Sequence, residues 1–419
     1  MLKDEQQFDI VIAGAGPAGS SAAIHLARSG ARVALVEQKS FPRPKLCGEF
    51  ISPECLTHFE RLGVLESMLA GGATTLDKTV FYSRRGRNCE VPSIWFGGMA
   101  LGLSRAEMDN RLLERARECG ATIFTETSVT GLIQQEEKVA GVAVRNGTGN
   151  FELRAPLVID ATGRARQLAR YIQKQRHEQK HRDEQKQREV PLQRERSRPQ
   201  FVAFKAHLEN TTVEAGSCEI YFYTGGYGGL SSVENGRSNL CFIVSSPDVR
   251  DLGSDVEALL KKLVMSNARA AETLKSARPA SEWLSVALNG FGRQNPVPAP
   301  GLVAIGDAAS FIDPFTGSGM LMALESGALV GKIVAAHLGS LVNEATINAI
   351  STSYSDAYNR RFDSRLRICS MLRRAAFFPR LAEATIVASR ISSSLRRRLA
   401  IATRQPDSTN FGPKLEHRY

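Results

Sequence analysis

The residues with the plainest chemical purpose stand within the first forty positions. Gly14-Ala15-Gly16-Pro17-Ala18-Gly19 follows a continuous apolar run over 8–13 and precedes a helical pattern over 20–29. Strand, glycine turn and helix in that order make a cradle for a pyrophosphate. The first glycine turns the chain, the second lets the ligand approach the backbone, and the third lets helix and strand pack closely. The N–H groups and partial positive charge of the helix start favour the anion. Glu37 closes the next apolar run, 32–36, where a carboxylate suits the two hydroxyls of an unphosphorylated adenosine ribose. Pro17, Ala18, Gln38 and Lys45 complete this part of the candidate cofactor-binding set.

Such a loop serves NAD and FAD alike, and two later turns separate them. Leu157-Val158-Ile159-Asp160-Ala161-Thr162-Gly163 places an acid and a glycine at the end of a second buried strand. Val303-Ala304-Ile305-Gly306-Asp307 repeats the pattern, and Asp307 there is suited to the ribityl hydroxyls that only a flavin carries. Pro314-Phe315-Thr316-Gly317-Ser318-Gly319 then opens a helix. Its positive end would face the flavin ring edge where reduction deposits negative charge. The expected cofactor is FAD, with no metal.

These three turns, in this order, resemble those of FAD-dependent oxidoreductases of the para-hydroxybenzoate hydroxylase fold, and most closely the geranylgeranyl reductase family. The resemblance covers residues 8–380 apart from a charged stretch at 170–198. It implies that Gly14, Gly16, Gly19 and Glu37 hold the ADP half of FAD. Asp307, Gly317, Ser318 and Gly319 would hold the ribityl and ring parts, Arg105 would lie near the phosphates, and Asp160 and Gly163 beside the cofactor. Pro44-Lys45-Leu46-Cys47-Gly48 resembles a segment of the reductases that would bring Cys47 near the flavin. A single thiol without a histidine partner reads equally as a structural loop cysteine. Residues 221–229 stand where the reductases carry a Tyr-aromatic-Pro pattern, but the tryptophan and the proline are absent. The W-x-W-x-I-P of flavin halogenases is absent too, which argues against halogenation.

The implied activity is reduction or dehydrogenation of C=C bonds in a lipophilic, isoprenoid-like substrate, with electrons from NADH, NADPH or ferredoxin. The alternative is a monooxygenase hydroxylating an aromatic or polyketide-like molecule through a flavin C4a-peroxide. Either needs a dry pocket over the flavin. Tyr221, Tyr223 and Tyr227 are candidate lining residues, and Cys47 and Tyr227 the candidate catalytic ones.

The elements that must position these groups follow from patterning. A chain of 419 residues exceeds one ordinary core. The expected class is α/β: a Rossmann-like FAD-binding domain (1–76, 100–169, 292–340), an inserted β-sheet substrate domain (77–99, 199–291) and a C-terminal helical region (341–419). Residues 105–119 carry apolar Met108, Leu112, Leu113 and Ala116 at helical spacing. Strands are expected at 121–126, 139–144, 151–154, 201–208, 218–223, 239–244 and 302–305, a glycine turn at 225–229, and helix over 255–275, 318–338 and after 344.

The net charge of +11 is unevenly spread. Residues 170–198 hold ten basic against five acidic side chains and 360–419 fourteen against four, so the remaining body is slightly acidic. The first stretch reads as a solvated helix or a disordered surface insertion. The second, with Leu372, Phe377, Phe378 and Leu381 among Arg373, Arg374, Arg380, Arg390 and Arg396, reads as a helical cap or as a basic amphipathic surface for lipid. No aromatic-studded basic sheet or recognition helix accompanies them, which argues against nucleic acid. Seven scattered cysteines without a C-x-x-C pair fit a reducing compartment. With a polar start and no apolar span, the expected location is cytoplasmic, with peripheral contact at the inner face of the membrane.

Overall fold

Apolar runs that carry no alternation can be buried only on both faces, and here they form one parallel sheet. Its strand order is Leu302–Ala304, Leu157–Asp160, Ile10–Ala13, Val33–Val36 and Thr122–Phe124. Leu157 registers with Ile10, and Ile10 with Val33. The computed structural model describes residues 6–185, 200–289, 291–313, 317–376 and 379–402.

Helices Pro17–Arg28, Arg105–Glu118 and Gly319–Ala335 cover one face, burying Ile24, Leu112, Leu324 and Val330 against Ile10, Ile12 and Leu35. Ser104 caps the second helix by accepting the Glu107 N–H, and the four apolar positions read from its period are all buried. The first and third helices touch backbone to backbone. A Cβ on Gly327 would lie 2.5 Å from the Ala18 carbonyl oxygen, and one on Gly331 2.7 Å from His25 Cβ. The other face is covered by an antiparallel meander, Ser128–Gln135, Lys138–Asn146 and Gly149–Arg154, whose Val142 and Val144 meet Val11 and Val36.

A second, larger sheet carries Phe201–Glu209, Ser238–Ser245, Gly226–Ser232, Ser217–Tyr223, Lys78–Tyr82 and Asn88–Pro92 in adjacent positions. Its outer face packs on short helices at Val256–Lys262 and Ala268–Thr273, and its inner face turns toward the parallel sheet. The expected helix over 255–275 is thus broken in pieces.

One further expectation needs correction and another is narrowed. Residues 225–229 are not a glycine turn: the hairpin turns at Thr224 and Gly225, and Gly226 already belongs to a strand. The glycines there serve close packing, since a Cβ on Gly226 would lie 1.9 Å from the Ile243 carbonyl oxygen. The charged stretch at 170–198 begins in a helix, one of its two readings, and not as a disordered insertion. It continues the helix Gln167–Gln185, which Leu168, Ala169 and Ile172 root in the core, while 186–199 lie outside the described residues.

The C-terminal helices are Glu344–Ala376, Pro379–Ile391 and Ser393–Ala402. The first is tied inward by Tyr354, whose hydroxyl donates to the Ala304 carbonyl, and by buried Arg365, which meets Glu325 at 3.3 Å. The side chains of 372–382, including Leu372, Arg373, Arg374, Phe377, Phe378, Arg380 and Leu381, lie outside the described set, as do residues 403–419. No described helix is long and apolar enough to cross a membrane.

Candidate active site

The strands ending at Ala13, Val36 and Asp160 deliver their following turns to one edge of the parallel sheet, where open α/β sheets bind ligands. A continuous cavity of about 650 Å³ starts there and runs on beneath the larger sheet. Gly14, Gly16, Pro17, Ala18, Glu37, Gln38, Lys45, Cys47, Arg105, Gly163, Tyr227, Asp307, Gly317 and Gly319 all line it. Residues about 300 positions apart, singled out by motif or by resemblance, therefore meet in one space.

At the first turn Gly14 takes φ +105°, and a Cβ there would lie 2.3 Å from the Ala161 carbonyl oxygen. Only glycine fits. Glu37 is held ready by the N–H groups of Ala15 (3.2 Å) and Lys39 (3.1 Å) and by Arg43 Nη2 at 3.2 Å. Arg43 reaches Asp109 as well, and Asp109 also takes both the Nε and Nη2 of Arg105 at 2.8 Å. Arg105 Nη2 comes within 3.9 Å of the space over Gly16, where a pyrophosphate would sit.

The electrostatics match an anionic occupant. Burial pushes the Lys45 ammonium below its usual range, and Arg43, Arg105 and Arg164 push it further. Burial likewise raises the Asp307 carboxyl, against the pull of Arg164, Arg105 and Lys45. Arg43, Lys45, Arg105 and Arg164 share a wall of the cavity, with Arg43 and Arg105 steered by Glu37 and Asp109. The glycine cradle, the Glu37 carboxylate and this basic wall fit the ribose and phosphates of FAD.

Four of the expected residues lie off the cavity wall. Asp160 is fully buried, is absent from the cavity wall, and accepts the Thr162 N–H, the Thr162 hydroxyl and the Ala169 N–H, so it braces the turn. Gly19 and Gly306 also lie off the wall, the first packed on Gly14 and the second on Ala18. Ser318 is buried at the start of the Gly319–Ala335 helix, and Pro314, Phe315 and Thr316 lie outside the described residues.

Strand parity settles the tyrosines. Cys218, Ile220 and Phe222 face the cavity, so Tyr221 and Tyr223, one position out of phase, face the outer helices. The Tyr221 hydroxyl donates to Glu219 and that of Tyr223 to the Ile243 carbonyl. Tyr227 does line the cavity, and its hydroxyl donates to Asp313 at 2.5 Å. Burial and that carboxylate hold its phenol well above the usual range. Sequence reasoning missed Arg43, Glu49 and Arg164 on the wall. Arg43 and Glu49 flank the Pro44–Cys47 segment and Arg164 follows Gly163, but no spacing marked them.

Residues 7–353 match the FAD binding domain family. The chain belongs to that family. This FAD-binding protein is 26% identical over 366 residues to a digeranylgeranylglycerophospholipid reductase of Methanopyrus kandleri, covering 85% of this chain and 83% of the relative. Among solved structures, a flavin-dependent brominase matches with TM-score 0.75 at 20% identity, covering 95% of both chains. A geranylgeranyl bacteriochlorophyll reductase-like protein from Thermoplasma acidophilum matches with TM-score 0.74 at 20% identity, covering 96% of this chain and 98% of its own. Fold and cofactor family agree with the expectation from sequence: an FAD-dependent oxidoreductase of mixed α/β architecture.

Proposed function

We propose that the protein reduces C=C bonds of a lipophilic, isoprenoid-like substrate. The carrying observation is the wall of the cavity beyond the cofactor turns. Phe81, Val91, Ile220, Phe222, Ile243 and Leu288 line it, a surface that excludes water and grips a hydrocarbon. The resemblance to a reductase named for a digeranylgeranyl lipid supports the same substrate class.

Bound FAD supplies the hydride in such a reaction. The chain's own part is to bind and orient. Gly14, Gly16, Lys45 and Arg105 hold the phosphates, Glu37 and Gln38 the adenosine end, and Asp307, Gly163, Gly317 and Gly319 the ribityl and ring end. Cys47 and Tyr227 reach the cavity as the candidate groups for holding a proton beside the substrate. Electrons come from NADH, NADPH or ferredoxin. The location is cytoplasmic, with the basic C-terminal helices resting on the inner face of the membrane, which suits a lipid substrate.

The test is anaerobic. FAD-loaded protein, reduced under argon by each donor in turn, is mixed with digeranylgeranylglycerophospholipid and the product analysed by mass spectrometry. A gain of two hydrogens per double bond is expected. Turnover only after oxygen is admitted, with stoichiometric oxygen consumption on a phenol or polyketide, would replace this reading with the monooxygenase.

A further inference from the structure

Beside the cavity lies a buried charged cluster that the reading above does not use. Glu49 is 1% exposed and takes a left-handed backbone, φ 54°. Its Oε1 accepts the Arg105 backbone N–H at 3.0 Å and lies 3.0 Å from Lys205 Nζ. Its Oε2 lies 2.6 Å from His207 Nε2. Lys205, itself 2% exposed, and His207 both belong to Phe201–Glu209 of the large sheet, whereas Glu49 and Arg105 belong to the cofactor side. Burial alone would raise the Glu49 carboxyl, and the His207 bond, the Lys205 and His207 charges and the Arg105 N–H together outweigh it and hold it low.

A desolvated cluster of this kind contributes little net stability, while it fixes geometry strongly. What it fixes is the turn before it. The Glu49 N–H donates to Cys47 Sγ at 3.4 Å, and Asn239 Nδ2 donates to the Cys47 carbonyl at 3.1 Å. Cys241, on the strand Ser238–Ser245, lines the same cavity. Cys47 thus stands where the cofactor wall meets the large sheet.

We propose that Glu49 is a positioning residue: with Lys205 and His207 it clips the Cys47–Gly48–Glu49 turn to the large sheet and sets the Cys47 thiol at the junction of the two halves of the cavity. The function of the thiol is a separate question, and the test needs no substrate.

FAD-loaded protein is alkylated with iodoacetamide and each cysteine is followed by mass spectrometry. Cys119 is partly exposed and serves as the internal reference. It ends the helix that Arg105 begins, about 20 Å away. Glu49→Gln should raise labelling of Cys47 relative to Cys119 by about tenfold, as expected for a local opening. Glu49→Asp should restore part of the protection, and Lys205→Met should loosen Cys47 even if Glu49→Gln fails to fold. An unchanged ratio in folded Glu49→Gln or Lys205→Met, or an equal rise at both cysteines, overturns the proposal.

Discussion

At the scale of single residues the cofactor wall works by concentrating positive charge where water is scarce. Lys45 is the sensitive member, because burial and its neighbours lower its hold on a proton. The flavin-free protein therefore loses that charge at lower pH than an ordinary lysine would, and binding a pyrophosphate must then take up a proton. FAD affinity should fall as pH rises above that midpoint, by up to about tenfold per pH unit. Fluorescence titration across pH 7–10 checks the sign, and Lys45→Ala should bind weakly with that slope removed. Asp160 shows the opposite lesson. Its type and place read as a ligand contact, yet it accepts three hydrogen bonds, two from Thr162 in its own turn and one from Ala169 in the next helix. A sequence displays an acid at a strand end but not which donors surround it.

At the scale of elements, much of the fold was legible because its signals are periodic. Unbroken apolar runs became the parallel strands, and Met108, Leu112, Leu113 and Ala116 became a buried helix face. What was not legible depends on contacts between distant segments. Gly226, Gly228 and Gly229 look like a turn until the neighbouring strand is seen pressing on them. The cluster of Glu49 with Lys205 and His207 spans 158 positions and carries no motif. Strand phase gives a direct test: Ile220→Trp should obstruct the cavity and raise KM for a prenyl lipid at least tenfold, an added bulk costing about 1–3 kcal/mol. Tyr221→Phe, one residue along, should shift thermal stability by about 1 kcal/mol and leave KM alone. A further check concerns the C-terminal helix. Glu325→Gln removes the carboxylate that Arg361 and buried Arg365 share and should cost about 3–5 kcal/mol in chemical denaturation, because the Arg365 charge is left uncompensated in the core.

At the scale of the whole molecule, the charge is divided between a slightly acidic body and two basic stretches, 170–198 and 360–419. Arg390, Arg397 and Arg398 are exposed on the C-terminal helices, beside Ile391 at 83% exposure. Sedimentation with vesicles containing phosphatidylglycerol should carry the protein down at low salt, release it as salt rises, and fail with phosphatidylcholine alone. Those same helices do a second thing. Thr385, Ile386, Ser389, Arg396 and Ala400 wall the far end of the cavity, with Arg396 over the Trp95 ring at 5.5 Å. All the proposed cofactor-holding groups lie at or before residue 319, whereas this wall comes from residues 385–400. Without residues 379–402 the cavity would lose that end wall, and water would reach the space the helices now close.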